Sequence, residues 1–153
     1  MDVQAVSDKL EIHELLARYA RGVDTQDWEL WKSVFTADAF VDYSKSGAAV
    51  GTRDEVAAWL EQSIGLMPMI QHFVTNIEVE LDGDRAHVRA LFYNPMQLPG
   101  MAEQSYCAGS YQHEMVRTPE GWKSEHLVEV PLWFVNSPRD PALAVDQEGE
   151  EAR

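Results

Sequence analysis

A single ionisable ring on an aliphatic strand face is the first feature of this chain that could do chemistry. Residues 69–81, MIQHFVTNIEVEL, alternate as a β-strand does and place His72 on the same face as Ile70 and Val74. A plain solvent-facing surface would not set a histidine between two aliphatic residues, so this face is predicted to line a cavity. The opposite face, which includes Phe73, is predicted to be core. The alternative is a structural histidine, hydrogen-bonded to a backbone carbonyl within the core.

A carboxylate at a helix junction is the second such feature. Apolar residues recur at helical spacing over Asp8–Val23, which begins with a capping-box pattern and carries Tyr19 near the centre of its apolar stripe. A second short helix follows, and Thr25 or Asp27 can cap it. Asp24 therefore lies between two helices, where its simplest role would be to cap the second one.

The remaining patterns define the elements that must position these residues. Helical patterns come first and strand patterns follow, which predicts an α+β fold. We expect a strongly curved antiparallel sheet, with no parallel pair, wrapped around three helices of the N-terminal half and leaving an internal pocket. The predicted elements are a short strand at Ala39–Tyr43, a third helix opened by Thr52, strands at 85–94, 105–118 and 122–136 with a bulge or edge at Pro131, and a loop over the cavity mouth at 95–103.

Composition limits the classes of partner. The 153 residues carry a formal charge of −14, from 26 acids against 12 Lys and Arg, which argues against a nucleic-acid or membrane partner. The lone Cys107 allows no internal disulfide, and together with the lack of a signal-peptide pattern it predicts a cytoplasmic location. The length predicts one domain, 1–137, and the acidic stretch 138–153 is predicted to be a flexible tail.

Four short patterns in order resemble a known family. They are the helical run from Tyr19 to Asp24 (YARGVD), the Asp-Trp pattern before Phe35, Gln71-His72 with Asn76 four residues on, and Tyr111 ahead of Gly121-Trp122. Together they resemble the SnoaL-like branch of the nuclear transport factor 2-like superfamily, and within it the scytalone dehydratases and bile-acid 7α-dehydratases. The resemblance implies a cone: a bent antiparallel sheet around three helices, with a hydrophobic pocket inside. The superfamily mixes enzymes with non-enzymatic members, so the fold alone does not determine activity.

The resemblance also implies which residues act. In these dehydratases a tyrosine and an aspartate from the first helix meet a histidine from the strand after the third helix, and Tyr19, Asp24 and His72 match those places. Such a set abstracts a proton next to a carbonyl without a cofactor or a metal. No second pocket histidine can be placed: His113 lies either near the pocket or on the surface. Proton delivery would then fall to Tyr19, Tyr43 or a water molecule.

Three functions remain open at this stage. The first is a cofactor-independent lyase or isomerase, of the dehydratase type, acting on a small hydrophobic cyclic compound. The second is a non-catalytic small-molecule-binding module or an enzyme β subunit, and the third is an epoxide hydrolase or polyketide cyclase. We expect a homo-oligomer, a dimer or trimer, because the aromatic residues Trp122, Trp133 and Phe134 exceed what one small core absorbs. The predicted substrate-binding residues are Tyr43, Asn76, Trp59, Phe92, Tyr111, Met96, Leu98 and Trp133.

Overall fold

Three helices from the N-terminal half of the chain pack against one curled sheet of seven strands. The computed structural model describes residues 2–138, and it has the predicted α+β architecture. The sheet order is β2-β1-β7-β6-β5-β3, and β4 pairs with β5 beside β3. The elements are α1 (Val3–Asp24), α2 (Trp28–Ser33), β1 (Phe35–Asp42), a short 3₁₀ turn (Ser44–Ser46), β2 (Val50–Thr52), α3 (Arg53–Ile64), β3 (Met69–Ile70), β4 (Phe73–Asp82), β5 (Arg85–Gln97), β6 (Ser105–Thr118) and β7 (Gly121–Val135).

The strand pairing confirms the predicted meander and corrects one part of the prediction. β4, β5, β6 and β7 pair antiparallel in succession, as expected. However, β1 pairs with β7 in parallel, so the prediction that the sheet contains no parallel pair is wrong. A parallel pair needs a crossover connection of at least a dozen residues. The chain between β1 and β7 supplies it, and a pattern of local alternation carries no information about so distant a partner.

The strand predicted at 69–81 is interrupted and lies at the sheet edge rather than at its centre. β3 and β4 both pair only with β5, and His72 falls in the gap between them. A register shift between Thr75 and Glu78 then reverses which face points inward, and Asn76 adopts a left-handed φ of 50° there. Phe73 is therefore 49% exposed, which corrects its predicted place in the core.

The first helix begins five residues earlier than its capping-box pattern predicted. Asp2 caps it by accepting a hydrogen bond from the backbone N–H of Ala5 at 2.7 Å. Asp8 is instead a buried residue inside the helix, where it accepts hydrogen bonds from the Arg117 guanidinium at 2.7 and 2.8 Å and from the Trp122 indole at 3.1 Å. The Arg117 hydrogen bonds hold the pKa of Asp8 well below its usual range. This network ties α1 to the sheet.

The other helix starts agree with the sequence. Asp27 caps α2 through the Leu30 N–H at 2.9 Å, and Thr52 and Glu55 form the predicted capping box on α3. Two boundaries differ. Phe35 opens β1, which starts four residues before the predicted strand, and β5 runs on through Gln97, so only the second half of 95–103 is a loop.

The aromatic residues on which the oligomer prediction rested divide between inside and outside. Trp122 is 2% exposed under the Arg117 guanidinium, and Phe134 is partly buried. Trp133 is 45% exposed and contacts Tyr93 on the outer face of the sheet, with ring centroids 6.2 Å apart. The homo-oligomer stays a prediction that now rests on the outer aromatics alone.

Two further predictions concern the chain ends and the membrane. No helix within residues 2–138 is long and apolar enough to cross a membrane. The predicted flexible tail, 138–153, lies outside the described residues except for Pro138, and so the division at 137 stays a prediction.

Candidate active site

A cavity of about 330 Å³ opens between the concave face of the sheet and the helices α1 and α3. The predicted catalytic residues Tyr19 and His72 both line it. Its wall is mostly aliphatic and aromatic, and no lysine or arginine stands among the described residues that line it. The predicted substrate-binding residues that line it are Tyr43, Trp59, Phe92, Met96, Leu98 and Tyr111.

Two of the predicted substrate-binding residues lie elsewhere. Asn76 is exposed at the β4 bulge, where its side chain accepts a hydrogen bond from the Thr75 hydroxyl at 3.1 Å. Trp133 faces outward, as described above. A bulge in each of the two strands turns the side chain to the outer face of the sheet.

His72 and Asp24 meet beside the cavity. The His72 Nδ1 lies 2.6 Å from an Asp24 carboxylate oxygen, and the same carboxylate accepts the His72 backbone N–H at 2.9 Å. The Gln71 N–H donates to the Pro95 carbonyl at 3.1 Å, so the His72 N–H points away from β5 to the open edge of the sheet, where Asp24 accepts it. Asp24 is the last residue of α1 and does not cap α2, which Asp27 does. The carboxylate fixes the tautomer with the proton on Nδ1 and leaves Nε2 to act as a base.

Asn94 holds the other side of the histidine ring, and sequence reasoning missed it. In the amide orientation that satisfies its neighbours, its nitrogen donates to the backbone carbonyls of Gln71 at 3.0 Å and Pro95 at 3.2 Å, which turns its oxygen toward His72 Nε2 at 3.1 Å. That oxygen can accept a hydrogen bond once Nε2 carries a proton. The ring therefore has a hydrogen-bonding partner at each of its two nitrogens.

A pair of phenols forms the polar floor of the cavity. The Tyr19 and Tyr43 hydroxyls lie 2.6 Å apart, and the Tyr111 ring meets Tyr19 edge-on at 5.1 Å while stacking on Phe92 at 4.5 Å. Burial raises the pKa of Tyr19, Tyr43 and Tyr111 well above that of a free phenol. The phenols are therefore neutral at physiological pH and can donate hydrogen bonds to a ligand oxygen.

Glu129 is a second polar residue of the cavity that sequence reasoning missed. It lies on β7, lines the same cavity as His72, and accepts a hydrogen bond from the Ser46 hydroxyl of the 3₁₀ turn. Burial raises the pKa of its carboxyl, which the Ser46 hydrogen bond and the proximity of His72 partly offset. The available signal was a lone acid among aliphatic residues in the segment LVEVPL, which is the same kind of signal that singled out His72.

His113 takes neither of the two places predicted for it. It is fully buried but does not line the cavity; its Nδ1 lies 3.0 Å from the Ser124 hydroxyl and its ring meets Tyr19 edge-on. Burial lowers its pKa to about 3. The buried Cys107 also borders the cavity, and burial raises its pKa to about 12, so it is an unreactive thiol. Within residues 2–138 no group of three or more His, Cys, Asp or Glu could hold a metal ion.

Comparison with known proteins adds the family. A model of the SnoaL-like domain matches residues 4–128, which is most of the chain. The chain belongs to the SnoaL-like family. The uncharacterised protein Rv2910c of Mycobacterium tuberculosis H37Rv is 36% identical over 130 residues, covering 84% of this chain and 88% of its own.

Solved structures show the same fold at lower identity. A protein of Novosphingobium aromaticivorans named as a candidate scytalone dehydratase is 18% identical, with a TM-score of 0.81 over 90% of this chain and 92% of its own. The hexachlorocyclohexane dehydrochlorinase LinA-type3 of Novosphingobium barchaimii is 19% identical, with a TM-score of 0.78 over 91% of this chain and 96% of its own. The SnoaL-like cone predicted from the sequence is thus confirmed, and its structural neighbours include proteins named for elimination reactions.

Proposed function

We propose that this SnoaL-like protein is a cofactor-independent lyase that eliminates a leaving group from a small hydrophobic cyclic carbonyl compound. The observation that carries the proposal is the 2.6 Å contact between His72 Nδ1 and Asp24, with the ring on the wall of an apolar cavity. Had the two side chains lain apart, a binding module would have been the better interpretation.

The first step is proton abstraction. His72 Nε2 removes a proton from the carbon next to the carbonyl, and Asp24 stabilises the imidazolium that forms. The Asn94 oxygen accepts the new N–H. The phenol pair of Tyr19 and Tyr43 donates a hydrogen bond to the carbonyl oxygen, where negative charge develops in the transition state. Loss of the leaving group from the next carbon then completes the double bond.

The two other functions considered have less support. An epoxide hydrolase of this fold needs an arginine between aspartates around a water molecule. Arg89 of β5 is exposed beside Glu78, and the described part of the cavity wall contains no arginine. A non-catalytic binding module would need the apolar cavity but no base, and it gives the histidine–aspartate contact no role.

Proton exchange tests the base without knowledge of the natural substrate. We expect the purified protein to exchange the α-protons of at least one ketone from a panel of cyclohexanone, α-tetralone and a steroid ketone in D₂O, followed by NMR. His72→Ala should reduce this exchange by about 100-fold or more, and Asp24→Asn by less, because the ring remains but its tautomer is no longer fixed.

The matched control is His87→Ala, because His87 is exposed and pairs with Glu114 far from the cavity. It should leave the exchange rate unchanged. Exchange by the His72→Ala variant at the wild-type rate would refute the assignment of the base. If no ketone in the panel exchanges, and mass spectrometry finds an unaltered ligand in the purified protein, the binding-module function replaces the lyase.

A further inference from the structure

Glu129 has no part in the proposed proton abstraction, yet it is the one carboxyl group among the described residues that line the cavity. His72 lies beside β4 at one end of the sheet, whereas Glu129 lies on β7, with β5 and β6 between them. Neighbouring strands are about 4.8 Å apart, so the curled sheet presents the two groups on different walls of one cavity. A ligand that fills the cavity can therefore contact both.

The surroundings of Glu129 favour its neutral form. Its neighbours in the cavity are the hydroxyl of Ser46, the phenols of Tyr19, Tyr43 and Tyr111, and the imidazole of His72. Of these groups only the imidazole can carry a positive charge, which would lower the pKa of Glu129. Burial of the carboxyl raises that pKa by more, so the pKa of Glu129 is raised on balance. A raised pKa keeps a proton on a carboxyl group that can then donate it.

We propose that Glu129 is the general acid that protonates a departing hydroxyl, and that the substrates are β-hydroxy carbonyl compounds. This inference rests on the proposed function, because it supplies the proton donor that the base at His72 lacks. In the step, His72 Nε2 takes the α-proton, the β-carbon–oxygen bond breaks, and the Glu129 proton goes to the departing oxygen. The products are an enone and water, with His72 protonated and Glu129 ionised. Transfer of one proton from His72 to Glu129 through solvent restores both.

The same argument selects the leaving group. Hydroxide is a poor leaving group unless it is protonated, so its departure gains from an adjacent acid. A halide leaves as an anion and needs no proton, and an ionised Glu129 would repel it. A neutral carboxyl at this place therefore fits dehydration and gives no advantage to dehydrohalogenation.

A leaving-group comparison tests the assignment. The probes are β-hydroxy-α-tetralone, whose enone aromatises to a naphthol, and β-chloro-α-tetralone, each followed by absorbance after correction for spontaneous elimination. Glu129→Gln keeps the size of the side chain and an acceptor for Ser46 but cannot transfer a proton. It should lower dehydration by about 100-fold or more and leave chloride elimination and α-proton exchange of α-tetralone unchanged. The control is Glu80→Gln, an exposed glutamate of β4, which should change none of the three.

The pH dependence of the wild type provides a second measurement that requires no variant. Dehydration needs a neutral His72 and a protonated Glu129, so its rate should rise and then fall with increasing pH. Chloride elimination needs only the base and should rise to a plateau.

Each outcome supports or overturns one assignment. Equal losses of dehydration, chloride elimination and exchange in Glu129→Gln would show that Glu129 is the base, and would overturn its role as acid. Unchanged dehydration, or the same pH profile for both probes, would also overturn it while leaving the reaction at His72 standing. If the wild type exchanges α-tetralone and yet dehydrates nothing, the substrate class is wrong but the base is not. If the wild type does neither, the proposed function itself fails.

Discussion

Replacing His113 should change how the stability of this protein depends on pH. His113 is fully buried between the Tyr19 and Tyr111 rings, with the Ser124 hydroxyl at its Nδ1 and no hydrogen-bond partner for Nε2 within residues 2–138. The charged groups that act on it are His87 and His126, which disfavour a further positive charge. Burial is the larger cause, and together they lower its pKa from 6.5 to about 3.

The sign and size of the effect follow from these two pKa values. Between pH 6.5 and about 3 the unfolded chain binds a proton at His113 that the folded protein does not, so stability is lost as the pH falls through this window. Each pH unit below the unfolded pKa costs about 1.4 kcal/mol, which gives about 2 kcal/mol between pH 7 and pH 5. The Asp8 carboxyl does not contribute there, because unfolded aspartates titrate near pH 4.

The assay is urea unfolding followed by tryptophan fluorescence at a series of pH values. His113→Gln keeps a partner for Ser124 but cannot take up a proton. Between pH 7 and pH 5 the unfolding free energy of both proteins should fall, and the fall should be about 2 kcal/mol smaller in the variant than in the wild type. His13→Gln, at an exposed position of α1, is the control and should follow the wild type. Parallel curves for His113→Gln and the wild type would mean that folded His113 accepts a proton, and would refute the reasoning.

Three further substitutions test the scaffold by the same unfolding assay. Gly22→Ala should destabilise the fold by about 1–3 kcal/mol, because a Cβ at Gly22 would lie 2.8 Å from the Trp31 backbone nitrogen. This cost should exceed the gain from the better helix propensity of alanine. A stability at or above that of the wild type would show that the α1–α2 contact can open. Thr52→Ala should cost about 1 kcal/mol by removing a helix cap, and no loss would mean that water replaces it. Asp8→Asn should be less stable than the wild type at pH 7, because it loses the ion pair with Arg117. The difference in stability should shrink below about pH 4, where the aspartate of the unfolded wild type takes up a proton. A difference that stays constant with pH would assign the effect to packing instead of to the ion pair.

Local rules predicted the parts of the fold that local chemistry controls. The capping box at Thr52 stands where the sequence placed it, and Asp27 is one of the two caps offered for α2, because each depends on residues within four positions. The start of α1 was misplaced because Asp8 has the right spacing for a cap but pairs with Arg117, more than one hundred residues away. No local pattern distinguishes those two uses of an aspartate.

Bulges in β4 and β7 help to decide which side chains meet in the cavity. In β7 the register shift opposite Ala108 and Gly109 leaves Leu132 without a strand partner, directly after Pro131. Unbroken alternation from Glu129 would have brought Trp133 to the cavity wall; the extra residue turns it outward and brings Phe134 in.

The β4 edge follows the same logic on the opposite side of the sheet. The His72 backbone N–H points to the open edge of the sheet, where it donates to Asp24, and the bulge at Asn76 then returns Val79 to the core. An edge strand leaves every second N–H without a strand partner, and at His72 the Asp24 carboxylate takes that place. The sequence singled out His72, the proposed base, because its residue type is unusual for that face. An amide is a less distinctive residue type, so Asn94 was missed even though alternation from Phe92 places it on the inward face of β5. Glu129 was missed because register shifts on both sides of it in β7 obscure the face on which it lies.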